Sequence, residues 1–230
     1  MKVQRGFTIA ELLIVVIIAG VLAAIAVPNM SEFVKNNTRA TRVNTMVTAL
    51  NYTRGQAVTR NARVSLCKSS GAFAGCVGAG DFATGWIVFT DFTPAALGGT
   101  VGIIDRLGTD LALDVNGDGV VDALDDEAVL RIFQPDMGGN ATLTGVRNAP
   151  PPAPGVPIVG LSYDGTGLGR DLVVAAGALV SPDTMFRYCD DRGPDKARGI
   201  VISPTGYPSL TRDTDGDGTD DIGGTKLNCP

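Results

Sequence analysis

Two acidic segments carry oxygen ligands at spacings that could bind Ca²⁺. In the first, acidic and amide residues alternate around a glycine. Its candidate ligands are Asp114, Asn116, Asp118, Val120 at the main-chain carbonyl position, Asp122 and Asp125. Calcium takes about six to eight oxygen ligands, and alternate residues of a tight loop converge on one point. Asp125 stands where glutamate is usual and reaches less far. The alternative is a solvated turn, and we favour calcium.

The second acidic segment matches the same template less completely. Its candidate ligands are Asp213, Asp215, Asp217, Thr219 and Asp221, with a glycine again at the turn position. Gly224 stands where the last ligand would fall, so that ligand must come from elsewhere. An ion in either segment would be structural, because no water-activating residue lies nearby in the sequence.

The residue types of the chain give little indication of a catalytic site. The chain contains no histidine, which removes the commonest general base and the commonest zinc ligand. Asp190 and Asp191, followed by Arg192, are paired carboxylates, but adjacent residues seldom face the same cleft. The formal net charge is −5, and the sequence contains no basic stripe of the kind that binds phosphate. We therefore expect a protein that is not an enzyme.

The cysteines indicate an oxidising compartment. There are four, with no pair at the short spacing typical of zinc ribbons or thioredoxin-like sites. Three pairings are possible. We favour Cys67–Cys76 and Cys189–Cys229, since each bond closes a loop that has little apolar content of its own.

The chain begins with a segment typical of membrane insertion. Residues 1–6 are basic, and residues 7–27 are apolar except for Thr8 and Glu11. As a helix, this stretch would span the roughly 30 Å hydrocarbon core, with the basic end cytoplasmic and the rest exported.

An ordinary secretory signal is the alternative for this segment, with Ala23, Ala24 and Ala26 as the small residues that would precede its cleavage site. Glu11 argues against that alternative, because a carboxylate inside an apolar span costs about 2.5–3.5 kcal/mol on insertion scales. A residue that costly usually has a specific partner.

Beyond Pro28 the pattern predicts an amphipathic helix. Residues with three- and four-residue spacing form its predicted inner stripe: Met30, Phe33, Val34, Asn37, Ala40, Val43, Met46, Val47, Leu50, Arg54, Ala57 and Val58. A coiled coil is less suitable, because the flanking charge pattern is absent. We expect one long helix from Phe7 to about Thr59, kinked near Pro28 and packed on a sheet.

Short strand-like runs follow, separated by Gly, Pro and Asp turns. They cover residues 64–67, 85–91, 129–133, 157–163, 186–189 and 199–203. No helical crossover separates them, so we expect antiparallel pairing. Trp86 is expected in the core. The proline-rich residues 148–157 are interpreted as a surface spacer rather than a docking peptide.

The start of the chain resembles the signal of type IV pilins and type II secretion pseudopilins. The resemblance covers residues 5–16, Arg-Gly-Phe-Thr-Ile-Ala-Glu-Leu-Leu-Ile-Val-Val, with Ala10 in place of a bulkier residue. It implies that prepilin peptidase cleaves between Gly6 and Phe7 and that the new Phe7 amine is N-methylated. It also implies that Glu11 is the counter-charge to the Phe7 ammonium of an adjacent subunit.

Four later blocks resemble the FimT/GspH branch of minor pilins and pseudopilins: residues 64–70, 85–91, 189–193 and 197–206. The resemblance implies an α+β type IV pilin fold, in which a long N-terminal helix packs on an antiparallel β-sheet head. The expected divisions are a leader at 1–6, the membrane-spanning half-helix at 7–28, the amphipathic half at 29–59 and the head at 60–230. Residues 92–127, 134–184 and 212–230 are interpreted as insertions or extensions.

The resemblance implies a minor subunit that primes or caps a type IV pilus-type filament. Its partners would be prepilin peptidase, the inner membrane before assembly, with the head in the periplasm, and other major and minor pilins or pseudopilins. A type II secretion pseudopilus is the alternative host, although the 189–193 block favours the pilus.

A DNA receptor for natural transformation is a second alternative. FimT-type receptors carry basic residues after a Pro-Thr-Gly turn, whereas here Tyr207, Pro208 and Ser209 follow it. Arg212 then precedes a run of aspartates that would repel phosphate, so DNA is possible but disfavoured.

Overall fold

The structure is a computed structural model that describes residues 8–69, 75–78, 80–91, 128–135, 140–147, 155–172, 184–222 and 225–229. The chain divides into two compact units, Met1–Thr41 and Arg42–Pro230. The second unit, called the head below, contains every strand that the structure describes.

A single helix, α1, covers Ile9–Arg60. Its C-terminal end is closed by a left-handed residue, Asn61, with a φ of 50°. The amides of Asn61 and Ala62 donate to the carbonyls of Val58 and Ala57, at 3.3 and 3.2 Å. This Schellman arrangement satisfies carbonyls that the helix leaves without partners. The observed bounds agree with the predicted helix to within a few residues, and the kink near Pro28 stays a prediction.

Twelve strands follow α1 in the described chain. They are β1 (Val64–Lys68), β2 (Trp86–Thr90), β3 (Val129–Phe133), β4 (Thr142–Arg147), β5 (Val156–Pro157), β6 (Gly160–Tyr163), β7 (Gly169–Asp171), β8 (Met185–Cys189), β9 (Arg198–Ile202), β10 (Pro208–Leu210), β11 (Asp221–Ile222) and β12 (Thr225–Lys226). Short 3-10 helices at Phe82–Thr84 and Pro194–Lys196 precede β2 and β9.

The strands form two five-stranded sheets and a small hairpin. The first sheet has the order β3-β2-β1-β6-β7, the second has β10-β9-β8-β4-β5, and β11 pairs with β12. All of these pairings are antiparallel, which confirms the predicted α+β class and strand orientation. The stretch 134–184, interpreted above as an insertion, contains β4, a direct neighbour of β8.

The core of the head lies where α1 meets strand residues. On the helix, Val43, Met46, Leu50 and Ala57 are buried as predicted, and all four belong to a cluster that includes Trp86. Trp86 is fully buried and stacks on Phe133 with ring centroids 5.8 Å apart, which confirms its core position.

The predicted stripe is wrong at several positions. Met30, Phe33 and Val34 expose 60%, 61% and 53% of their surface, and Val58 is also exposed. Thr53 is fully buried instead, and its hydroxyl donates to the Ala49 carbonyl at 2.7 Å. The back-bonded hydroxyl explains how a polar side chain occupies the inner face, since it leaves no unsatisfied donor.

Candidate functional sites

The helix N-terminus holds Glu11 in a reciprocal cap. The Glu11 carboxylate accepts from the Thr8 amide at 2.9 Å and from the Thr8 hydroxyl at 3.0 Å. In return, the Glu11 amide donates to the Thr8 hydroxyl at 3.2 Å. This is a capping box, which a threonine three residues before a glutamate signals in the sequence. Gly6 and Phe7, the predicted processing residues, lie outside the described residues.

The first part of α1 presents an apolar surface. From Ile9 to Ile25 its large apolar side chains expose between 55% and 84% of their area, for example Leu12, Ile17 and Leu22. Mean hydropathy reaches 2.9, so by length and composition this helix could cross a membrane. Water is a poor environment for such a surface, which therefore needs lipid or protein to cover it.

The first predicted calcium segment, residues 114–125, lies outside the described residues. The second segment is described, and it brings three of its candidate ligands together. Carboxylate oxygens of Asp213, Asp215 and Asp221 lie within 4.8 Å of one another. Asp213 and Asp215 are exposed, whereas Asp221 is buried.

Asp217 does not belong to this trio. Its carboxylate accepts from the Thr219 hydroxyl and amide, at 2.5 and 2.8 Å, and forms a salt bridge with Lys226 at 3.1 Å. These interactions, the Thr219 bonds first, lower the pKa of Asp217 to about 2. Asp217, a predicted calcium ligand, instead holds the loop against β12.

Two carboxylates of the trio, those of Asp213 and Asp221, already accept hydrogen bonds from within the loop. Asp213 accepts from the amides of Gly216 and Gly218, at 2.7 and 2.9 Å. Asp221 accepts from the amide and hydroxyl of Thr214, at 2.7 and 2.5 Å. These bonds shape the loop without a metal, and calcium binding stays a prediction.

The acidic loop is anchored to the second sheet by a contact that sequence reasoning missed. The Arg198 guanidinium donates to both Asp220 oxygens, at 2.7 and 3.3 Å. The Thr211 hydroxyl donates to the same carboxylate at 2.9 Å. Arg198 and Asp220 are far apart in sequence, so no local pattern could have paired them.

Two disulfides brace the head, and both have the pairing that we favoured from the sequence. Cys67 bonds to Cys76, nine residues apart, and Cys189 bonds to Cys229, forty residues apart. The second bond ties the segment after β12 to the end of β8. It therefore closes the part of the chain that contains the acidic loop.

The Asp190–Asp191 pair does not form an acid–base site. Asp190 accepts from the Arg192 guanidinium, with the shortest distance 2.6 Å, and both side chains are nearly buried. Asp191, by contrast, is exposed. The two carboxylates thus occupy different environments, and Asp190 serves to fix a turn.

Tyr207 precedes β10, and an acidic run follows that strand. Tyr207 is 54% exposed and is covered on one face by the Arg54 guanidinium, 3.9 Å from the ring centroid. Arg212 is exposed, but the exposed Asp213 and Asp215 follow it. This arrangement gives little attraction for a phosphate backbone.

Two family models match the chain. The model described as type II transport protein GspH matches residues 42–206, and the prokaryotic N-terminal methylation motif matches residues 1–27. Two curated Pseudomonas aeruginosa proteins, each called fimbrial protein, are 50% identical over 50 residues. That match covers 22% of this chain and 32% of each relative, so the chain spans about a third of the relatives' length.

Two crystal forms of the Pseudomonas aeruginosa type IV minor pilin FimU are similar to this chain in structure. Both are 17% identical to it, with TM-scores of 0.45 and 0.41. The alignments cover 78% and 75% of this chain and 92% of each FimU chain.

Proposed function

Given that this chain belongs to the family of the type II transport protein GspH, we propose that it helps to prime or cap a filament of the type IV pilus class. The chain is a minor pilin or pseudopilin with an N-terminal methylation motif. Proteins of this class are structural rather than enzymatic. In this proposal the chain acts by associating with other subunits, and it does so through the exposed apolar surface of the first part of α1.

The observation that carries this proposal is the Thr8–Glu11 cap at the start of an exposed apolar helix. A carboxylate among apolar neighbours is costly unless opposite charge or donors surround it. Thr8 supplies two donors within the subunit. After cleavage, the Phe7 ammonium of an adjacent subunit would supply the missing positive charge.

This role requires processing and export. We propose that prepilin peptidase cleaves between Gly6 and Phe7 while the helix lies in the inner membrane, with the head in the periplasm. The two disulfides support this orientation, because such bonds persist in oxidising compartments. Other pilins or pseudopilins then cover the apolar helix in the filament.

The host machine is either a type IV pilus or a type II secretion pseudopilus. The 189–193 block and the extended head favour the pilus. The matching family is that of a type II transport protein, which favours the secretion system as the second candidate. The proposed association through α1 is the same in both machines.

The proposal is tested by incorporation of the full chain into filaments in its host. We expect Glu11→Ala to be processed and membrane-inserted, but to be lost from sheared filaments. Glu32→Ala, on the same helix, is the matched control and should be incorporated as the native chain is. Immunoblots of sheared and membrane fractions measure both outcomes.

Normal incorporation of Glu11→Ala would contradict the role given to this carboxylate. Loss of the Glu32→Ala control together with Glu11→Ala would also contradict it, because the effect would then belong to any charge on the helix. A host with its pilus genes deleted but its secretion genes intact distinguishes the two machines.

A further inference from the structure

The head contains a cavity of about 250 Å³ that the assembly role does not use. Residues of β1, β4, β5 and β8 line it, together with the segment after β12. Most of its wall is apolar, with Val146, Pro157 and Ile158 among the lining residues. Two cationic side chains, Lys68 and Arg187, also line it.

Lys68 is buried with little to neutralise it. It exposes 3% of its surface, and its ammonium donates to one described acceptor, the Gly80 carbonyl, at 2.9 Å. Across the described ranges, no salt bridge joins Lys68 to a carboxylate, and Asp81 acts on it only from a longer distance. Burial lowers the pKa of Lys68, and Asp81 opposes that shift. An ammonium carries three donors, and the described residues accept one of them.

Arg187 and Thr144 face each other on neighbouring strands. They are register partners in the β4–β8 pairing, so their side chains lie on the same face. Arg187 is 4% exposed and donates to the Asn228 carbonyl at 3.0 Å. The Thr144 hydroxyl is buried and has no hydrogen-bond partner in the described chain. An orphaned buried hydroxyl is costly unless something binds it.

Both disulfides hold this wall in place. Cys67 directly precedes Lys68, and its bond to Cys76 lies at that end of β1. Cys229 directly follows Asn228, and its bond to Cys189 fixes the carbonyl that Arg187 uses. The cationic groups are thus held on a braced frame, which is the preorganisation that favours binding of a small ligand.

We propose that this cavity binds a monocarboxylate with a short aliphatic tail, with Lys68, Arg187 and Thr144 around the carboxylate. A carboxylate accepts from several donors at once and neutralises buried positive charge. The aliphatic tail lies against the apolar wall of β4 and β5. A free small acid and the terminal residue of a protein chain share this chemistry. The inference is independent of the filament role.

The test is titration of the full chain, in detergent micelles at neutral pH, with butanoate and with butanamide. Amide signals of the lining residues Gly80, Gly145 and Gly155 are followed by NMR. We expect saturable shifts with butanoate, with a dissociation constant of about 1 mM, and none with the uncharged amide.

Variants of the cavity sharpen the result. Lys68→Met and Thr144→Val keep the side-chain size and remove one donor group each. We expect about tenfold weaker butanoate binding for Lys68→Met, and a smaller loss for Thr144→Val. Lys226→Met, an exposed lysine outside the cavity, should bind as the native chain does. If Lys68→Met fails to fold, the comparison of butanoate with butanamide in the native chain still decides.

Equal shifts with butanoate and butanamide would overturn the proposal, because the cavity would then bind apolar groups only. No saturable shift with either, or unchanged affinity in Lys68→Met, would overturn it as well. N-acetylvaline, which resembles the end of a protein chain, distinguishes the sources. Tighter binding than butanoate assigns the site to a chain terminus, and weaker binding assigns it to a small free acid.

Discussion

Large apolar side chains are exposed on the first part of α1 and buried in the head. Leu22 exposes 62% of its surface, whereas Leu50, on the same helix, is fully buried. The difference is not one of residue type, so it reflects what each region packs against. The head buries its apolar residues in its own core, while the first part of α1 depends on lipid or other subunits to cover it.

The largest difference in stability between the two regions should appear when an apolar residue in each is replaced by aspartate. Met46→Asp places a charge at a fully buried position and should destabilise the head by more than about 4 kcal/mol. Ile17→Asp should leave unfolding of the head unchanged, because Ile17 is 59% exposed in the subunit. Urea denaturation of the full chain in detergent, followed by Trp86 fluorescence, measures both.

The same Ile17→Asp variant should be deficient in membrane insertion, by about 2.5–3.5 kcal/mol on insertion scales. Membrane fractionation of expressing cells measures that loss. If Ile17→Asp unfolds the head, or if Met46→Asp leaves the stability of the head unchanged, the proposed difference between the two regions is wrong.

The disulfides should contribute to the head in proportion to the loops that they close. Replacing Cys189 and Cys229 together by serine should cost about 4 kcal/mol, and replacing Cys67 and Cys76 about 3 kcal/mol. The sequence separations of 40 and 9 residues set that order. Denaturation midpoints of the two double variants give the ranking. A larger loss from the shorter loop would show that native contacts, rather than loop closure, dominate.

Calcium should stabilise only the head, if the predicted sites fill. At a concentration of about one hundred times the dissociation constant, binding should add about 2.7 kcal/mol to the free energy of unfolding. Asp213→Asn should reduce the contribution of the second loop. Calorimetry with calcium, and melting with and without a chelator, measure the effect. No heat of binding and no shift in melting would rule out both predicted calcium sites.

The smallest expected effect concerns Asp164, in the turn before β7. Burial raises its pKa, but donors from Thr166, Leu168 and Arg170 outweigh burial, and the net pKa lies below the ordinary value of 3.8. A lowered folded pKa gives stability that is present above the unfolded pKa and is lost as pH falls through the folded one. Native stability should therefore fall below about pH 4.

Asp164→Asn should cost about 1 kcal/mol at neutral pH and weaken the acid dependence. Denaturation at a series of pH values measures both quantities. An unchanged acid profile in this variant would show that other carboxyl groups cause it.

Local patterns predicted much of the fold. The period of α1 identified Val43, Met46 and Leu50 as core residues, and β-branched runs located six strands. The periodic pattern does not show how far along α1 the head extends, so Phe33 and Val34 were placed on the inner stripe although they are exposed.

The strand β4 was missed because Gly145 in its middle weakens its strand signal. Its glycine has a packing reason, since a Cβ there would lie 2.8 Å from the Ile158 side chain and 3.0 Å from Phe186. The acidic loop was predicted in part: the template placed Asp213, Asp215, Asp217 and Asp221 together, and the structure clusters all of these except Asp217. Asp217 instead forms a salt bridge with Lys226, which lies on β12 and which a local template cannot identify.

The most direct test of assembly through α1 is the mass of the mature N-terminal peptide, isolated from the native host. We predict a peptide that begins at Phe7 and carries one methyl group on its amine. A chain that keeps residues 1–6, or one that begins after the small residues Ala23, Ala24 and Ala26 as a cleaved secretory signal would leave it, would contradict the claim that neighbouring subunits cover this helix.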